Sequence, residues 1–396
     1  MNIKAKIILI VAICMVCVSG SLSCRNAESV PSVKIGVIAA QTGNYAGLGN
    51  LTLEGIQVMV DRMNEEGGIN GIPVELVIYD DRSETTEAAL IAKKLIEVDR
   101  VHVIIGGTTT HISMGVAGIC NDLETPAVVI VGTALVHDEL GDWVFAPMGA
   151  EQNFIIPILK YFNQNLGISK YAALIENSGY GEGGKVFLSE VSPNYDMDIV
   201  SEEYFDPTAN DVSPQLAKIN NSEAQGIFIW GSSPTASMAI KQAREMGIDL
   251  PIVATPPQTS PDMIESFGDY FEMEPSVTAV TLKLDVWQQL PESDPDKNMY
   301  RDFQSVFTEE YEHPPTMWNA LGAQMILFIE DGLRRANLNP ANLIEARGKL
   351  RDALEGTNDI KLFTGDYTMS PRDHFGQTKD RTILVTFENG EMIHLP

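Results

Sequence analysis

The chain has 396 residues, with 27 Lys and Arg against 54 Asp and Glu, for a formal net charge of −27. That length predicts two domains, or three small ones, and a composition of 44% hydrophobic and 20% charged residues predicts a globular, well-cored protein rather than a disordered one. The acid excess excludes nucleic acid as a partner, because such binders carry the opposite sign, and disfavours an anionic lipid surface.

Lys4 and Lys6 precede an almost wholly apolar run from Ile7 to Val18, and Gly20, Ser21, Leu22, Ser23 and Cys24 follow. This basic, apolar, small-residue order predicts an export signal over residues 1–23. The run is about a dozen residues, short of the ~20 that a membrane-spanning helix needs. The small residues before Cys24 resemble a bacterial lipoprotein processing site, although Ser21 stands where that pattern usually has Leu. The resemblance implies lipidation of Cys24, with residues 24–32 as a polar tether; ordinary signal cleavage with an incidental cysteine is the alternative. Of Cys14, Cys17, Cys24 and Cys120, only the last then stays free, so no disulfide is expected, and loss of Lys4 and Lys6 takes the charge to −29. No Cys/His spacing suggests zinc, and no metal or cofactor is expected.

From Val33 the chain alternates short apolar runs with segments of helical period. Val33–Ala40 reads as a strand, and Leu51–Asn64 as a helix with Ile56, Met59, Val60 and Met63 on one face. Val74–Tyr79 is the next strand; Ala88, Ile91, Ala92, Leu95 and Val98 mark a second amphipathic helix. Val101–Ile105 and Val128–Val131 complete four strands. The rhythm restarts near residue 170, with strands at Tyr171–Glu176, Ile199–Phe205, Gly226–Trp230 and Ile252–Thr255, a loop at 177–181, and helices at Ser213–Ile219 and Thr235–Met246. Helices are expected near 299–312, 317–336 and 343–354, and a final hairpin near 382–395 around Asn389 and Gly390. This β-α rhythm predicts an α/β protein with two doubly wound parallel-sheet lobes.

Open parallel sheets bind ligands beyond the carboxyl ends of their strands. The loops Thr108-Thr109-Thr110-His111 and Gly132-Thr133 end adjacent strands and offer hydroxyls with helix-start amides, which suits a carboxylate; helix capping is the plainer reading of any one threonine. Gly179-x-Gly181-x-x-Gly184 matches a dinucleotide fingerprint, with Asp198 or Glu202 at about the right distance, but Tyr180 between its first glycines and its place in the second unit speak against that reading. No nucleophile elbow and no phosphate loop of the nucleotide-hydrolase type occurs, and an enzyme is not expected.

Val33 to Val37, Gln41-Thr42-Gly43, Gly67 to Gly71, Asp80-Asp81, Val103 to Gly106, Pro126 to Thr133, Tyr180 to Gly183, Asp211-Val212-Ser213, Gln242 to Gly247 and Pro315-Thr316 follow one another in an order and spacing that are specific together. They resemble the type I periplasmic binding proteins, specifically the branched-chain and hydrophobic amino-acid-binding components of ABC importers. The resemblance covers about residues 33–380. It implies two lobes joined by a three-strand hinge: residues 33–148 and 282–362 in the first, 149–281 and 363–396 in the second. It also implies a monomer that closes on a small ligand and docks on membrane permease subunits. By position, Thr109, Thr110, Val131, Gly132 and Thr133 match the residues that hold the ligand carboxylate, and Tyr180 the tyrosine of the second lobe. Tyr45 and Leu48 fall in the loop that lines the side-chain pocket; Ser232 and Gln258 lie in strand-end loops of the second lobe. The family places a carboxylate where this chain has Pro257 or Gln258, so the half of the site that meets an ammonium is altered. A branched-chain or other hydrophobic amino acid is the ligand the resemblance implies first, and a non-amino organic or aromatic acid is the alternative, motivated by Pro257 and Gln258; a sensing module feeding a receptor is the alternative role.

Overall fold

The computed structural model describes residues 31–395; the signal, Cys24 and the tether up to residue 30 lie outside the described residues. The chain begins with β1 (Val33–Ala39), α1 (Ala46–Glu65), β2 (Val74–Asp80), α2 (Thr85–Glu97), β3 (Val103–Gly106), α3 (Thr110–Asp122), β4 (Ala127–Val129) and β5 (Val144–Phe145). These five strands form one parallel sheet in the order β2-β1-β3-β4-β5. The central strands β3 and β4, and β1 apart from Lys34, are apolar on both faces, as a sheet covered twice requires, whereas the edge strand β2 is mostly half-buried. Ile35, Val37, Val103, Ile105 and Val128 pack on the α1 side, whereas Ile38, Ile104, Ala127 and Val129 pack on the side of α2 and α3.

A second series follows: α4 (Glu151–Lys160), β6 (Lys170–Glu176), α5 (Gly179–Val191), β7 (Asp198–Phe205), α6 (Ser213–Asn220), β8 (Ile227–Trp230), α7 (Pro234–Glu245), β9 (Ile252–Ala254), α8 (Pro261–Phe271) and β10 (Thr278–Leu282). Then come α9 (Lys297–Glu310), α10 (Met317–Ala336), α11 (Leu343–Glu355), β11 (Ile360–Leu362), β12 (Gly365–Tyr367), β13 (Gln377–Asp380), β14 (Thr382–Glu388) and β15 (Glu391–His394). The second sheet runs β15-β14-β10-β9-β8-β6-β7. Its strands β6 to β10 are parallel, in the same relative order as the first sheet, and β14 and β15 add antiparallel at one edge. Each order reverses after its first strand, so the crevices open beyond β1 and β3 in one sheet and beyond β6 and β8 in the other. Strands β11 to β13 form a small antiparallel sheet of their own.

The expected strands and long helices are present, with shifted ends. The first helix starts at Ala46 rather than Leu51, and the fourth strand is Ala127–Val129 rather than 128–131. Part of the stretch read as a loop, from Gly179 on, opens the helix α5. Helices α1 and α10 cross at backbone contact: a Cβ on Gly55 would overlap the Asn319 carbonyl, and one on Gly322 the Thr52 carbonyl.

One buried charge at the edge of the first crevice sets a pH dependence. Asp81 is fully buried; its Oδ1 accepts from the Ser83 N–H at 2.8 Å and its Oδ2 has no partner. Burial pushes its carboxyl up to about 6, with the Ser83 N–H opposing and Asp80 adding to the rise. A carboxyl raised by folding adds stability below its unfolded value, near 4, and loses that contribution as pH rises through about 6. Raising pH from 5 to 7 is expected to cost the wild type about 1–1.5 kcal/mol relative to Asp81→Asn, measured by urea unfolding of both proteins. Parallel pH profiles would show that Asp81 does not titrate as described.

Candidate functional site

The two crevices face each other across a shared cavity. The first lobe contributes Leu48, Thr108, Thr109, Thr110, Ile130, Gly132 and Met148, and the start of α10 adds Met317 and Trp318. The second lobe contributes Phe154, Tyr180, Ser232, Pro256 and Pro257. None of these fourteen lining residues carries a charge.

The threonine loop after β3 forms the polar wall. Thr108 Oγ1 accepts from the Ala40 N–H at 3.0 Å and ties this loop to the end of β1. Thr110 Oγ1 accepts from the Gly132 N–H at 3.3 Å and ties it to the loop after β4. Thr109 stands at the N-cap of α3, yet its hydroxyl makes no capping bond; it lies 3.2 Å from His111 Nδ1. The first N–H groups of α3 have no carbonyl one turn back, and the helix field favours negative charge there. Burial pushes the His111 imidazole down, with Glu176 and Glu84 opposing, so the ring is neutral at neutral pH. The wall is therefore uncharged but rich in donors, which suits a carboxylate.

The facing wall is aromatic and apolar. Tyr180 stacks on Trp230 with centroids 4.7 Å apart, and Trp230 Nε1 donates to the Tyr180 carbonyl at 2.7 Å. The Tyr180 ring lies directly over Gly132, where a Cβ would come 2.8 Å from Cε2. Glu176, at the end of β6, is buried and accepts from Ser232 N at 3.0 Å, Ser232 Oγ at 3.0 Å and Ser233 N at 2.8 Å. Its carboxylate is occupied by its own lobe. Burial and this same Glu176 push the Tyr45 phenol up, with the Ser232 and Asn44 side chains opposing.

The cavity brings together Leu48, Thr109, Thr110, Gly132, Tyr180 and Ser232 among the expected residues. The other four are placed differently. Tyr45 lines an adjoining smaller chamber with Leu48 and Ser232. Val131 is buried in the core under α3. The Thr133 hydroxyl donates to Glu151 Oε1 at 3.1 Å and accepts from Leu135 N at 3.1 Å, so it is spent on a local turn. The Gln258 side chain turns inward: its Oε1 accepts from Thr255 N and Thr255 Oγ1, closing a capping box. Phe154, Met148, Met317 and Trp318 were not foreseen. Trp318 is 6% exposed and its indole N–H has no partner.

The glycine fingerprint does open a helix after a strand, but protein packing accounts for its glycines. A Cβ on Gly181 would overlap the Glu176 carbonyl, and one on Gly184 the Trp230 ring. No group of three or more His, Cys, Asp or Glu able to hold a metal occurs among the described residues.

A two-lobed α/β fold with a cavity between facing strand ends defines a cleft-type binding protein. A model of the periplasmic binding protein family matches residues 32–390, and the chain belongs to that family, whose members are solute-binding proteins rather than enzymes. Membership implies export to the periplasm. Among curated relatives, the leucine-, isoleucine-, valine-, threonine- and alanine-binding protein of Pseudomonas aeruginosa is 22% identical over 55% of this chain and 58% of its own length. The Leu/Ile/Val-binding protein of Escherichia coli K12 is 22% identical over 63% of this chain and 66% of its own. The chain thus spans about three-fifths of the length of these curated relatives. The solved leucine-binding protein LivK of Thermotoga maritima superposes with a TM-score of 0.79, at 24% identity, over 92% of this chain and 98% of that one. A solute-binding protein of Rhodopseudomonas palustris BisB5, solved with 3,4-dihydroxybenzoic acid, does so with a TM-score of 0.76, at 19% identity, over 92% and 96%. No helix among the described residues is long and apolar enough to cross a membrane.

Proposed function

We propose that this chain is the extracytoplasmic binding component of an ABC importer, anchored by a lipid on Cys24, and that it captures a small non-amino organic or aromatic acid by lobe closure. The lobes in this reading are 33–148 with 282–362, and 149–281 with 363–396; the first sheet drawing its strands from 33–145, and the second from 170–282 and 382–394, supports that division. The observation that carries the ligand class is the uncharged lining of the cavity. A carboxylate finds the Thr109 and Thr110 hydroxyls and the start of α3, whereas an ammonium finds no counter-charge there. Enclosing an unpaired ammonium costs several kcal/mol. A branched-chain amino acid is the second reading, favoured by the specificities named for the relatives.

A thermal-shift panel decides between them. Benzoate, phenylacetate and 4-methyl-2-oxopentanoate are set against phenylalanine, leucine and isoleucine. A true ligand at ~100 times its Kd adds about 2.7 kcal/mol of stability. Stabilisation by amino acids alone would overturn the acid reading, and stabilisation by neither group would overturn both. The unpartnered Trp318 indole gives a further expectation, since a ligand oxygen would satisfy it. Trp318→Phe is expected to weaken a bound acid about tenfold by calorimetry, in line with ~1.4 kcal/mol for one hydrogen bond. Anchoring is checked by radiolabelled palmitate, which Cys24→Ala should fail to incorporate.

A further inference from the structure

We infer that the cleft carries a second recognition point, a chamber beside the main cavity in which Asp262 and Ser260 receive a hydrogen-bond donor from the far end of the ligand. The inference rests on the carboxylate reading above and extends it: the ligand is a hydroxy acid, with a carboxylate at one end and a hydroxyl at the other.

The chamber shares Leu48, Ser232 and Pro257 with the main cavity, so one molecule can touch both. Its walls come from both lobes, with Tyr45 and Gly47 facing Ser260 and Asp262. Ser260 is fully buried at the N-cap position of α8, yet its hydroxyl makes no capping bond and has no other partner. Asp262 lies in the first turn of the same helix, and its Oδ1 is buried without a partner. Buried polar atoms are almost always satisfied, so two orphans on one small space point to a missing group. A carboxylate oxygen and a serine oxygen both accept a hydrogen bond, and no Lys or Arg lines either space. The donor therefore comes from the ligand. Room for about one water-sized group fits a hydroxyl and not a second ring. Closure also needs a bare backbone opposite: a Cβ on Gly47 would overlap Asp262 Oδ2.

Calorimetry on the mature full chain with two matched pairs tests this. Phenylacetate is compared with 4-hydroxyphenylacetate, and 4-ethylbenzoate with 4-(hydroxymethyl)benzoate. The hydroxylated member of at least one pair is expected to bind tenfold or more tighter than its apolar partner. That ratio is expected to fall below threefold in Asp262→Asn, and to fall in Ser260→Ala, a change too small to threaten folding. Equal binding within both pairs, or a preference that survives both variants, overturns the inference and leaves a water-filled chamber while the carboxylate reading stands. Failure of every acid to bind overturns the carboxylate reading and this inference with it.

Discussion

Replacing Gly132 by alanine is expected to weaken ligand binding about 100-fold while leaving the free protein almost as stable as before. The new Cβ would stand 2.8 Å from Cε2 and 3.1 Å from Cδ2 of Tyr180, closer than carbon atoms approach without cost. Tyr180 cannot yield easily, because Trp230 stacks behind it and Gly184 fits directly against that indole. Overpacking of this kind costs about 1–3 kcal/mol, and nearly 3 kcal/mol is a factor of about 100 in affinity. The cost falls on closure alone. Gly132 belongs to the first lobe and Tyr180 to the second, and the φ of Gly132 lies outside the left-handed region, so alanine does not strain its own backbone. Calorimetric titration with a binder from the acid panel, together with urea unfolding of the ligand-free protein, separates the two effects. A double-mutant cycle with Tyr180→Ala sharpens the test, since the alanine at 132 should cost far less once the ring is gone. Loss of unfolding stability equal to the loss of affinity would show that Gly132 serves the fold and not the closing of the lobes.

Gly132 and Tyr180 were legible in the sequence because each lies in a strand-end loop, and a doubly wound sheet puts such loops at its crevice. The strands were legible for a similar reason: runs such as Val33–Ala39 and Val103–Gly106 are apolar on both faces and end in glycine or small polar residues. Side-chain direction was less so. Gln258 stands in the right loop, but the spacing Thr255-x-x-Gln258 is that of a capping box, and that signal already pointed its amide back at the backbone. Helix α5 was hidden because its first turns hold Gly179, Gly181, Gly183 and Gly184, poor helix formers that tertiary contact with Trp230 and Thr133 demands. Met317 and Trp318 were beyond reach. They line the cavity because α10 starts there, with the Met317 N–H donating to the half-buried Asp285 at 2.7 Å, a pairing set by folding and by no local pattern.

Removing the charge of Arg381 is expected to cost about 3–5 kcal/mol of stability, among the largest effects of any single substitution in this chain. Arg381 is 2% exposed and joins β13 of the small antiparallel sheet to β14 of the second lobe. Its Nε lies 2.8 Å from Asp296 Oδ1, and its Nη2 donates to Asp366 Oδ1 at 2.6 Å. Lys283 adds contacts to Asp294 at 2.8 Å and to Asp296 at 3.3 Å. Three carboxylates and these two cations are thus gathered where the chain passes between sheets. Burial works to raise the Asp296 carboxyl, but Arg381 and Lys283 prevail and hold it below the usual range. Arg381→Met fits the space but strands Asp296, itself buried, with less compensation. A carboxyl lowered by folding adds stability above its unfolded value, near 4, and loses that contribution as pH falls through its folded value. The deficit of Arg381→Met should therefore be full at pH 7 and smaller at pH 3, where the unfolded chain's carboxyl takes up its proton and part of the wild type's gain is lost. Arg381→Lys keeps the charge but not the fork that reaches two carboxylates, and should fall between the wild type and Arg381→Met. Urea unfolding of the three proteins at both pH values reads all of this. A deficit under about 1 kcal/mol at pH 7 would place the network among ordinary surface ion pairs and remove it from any role in setting the crossing.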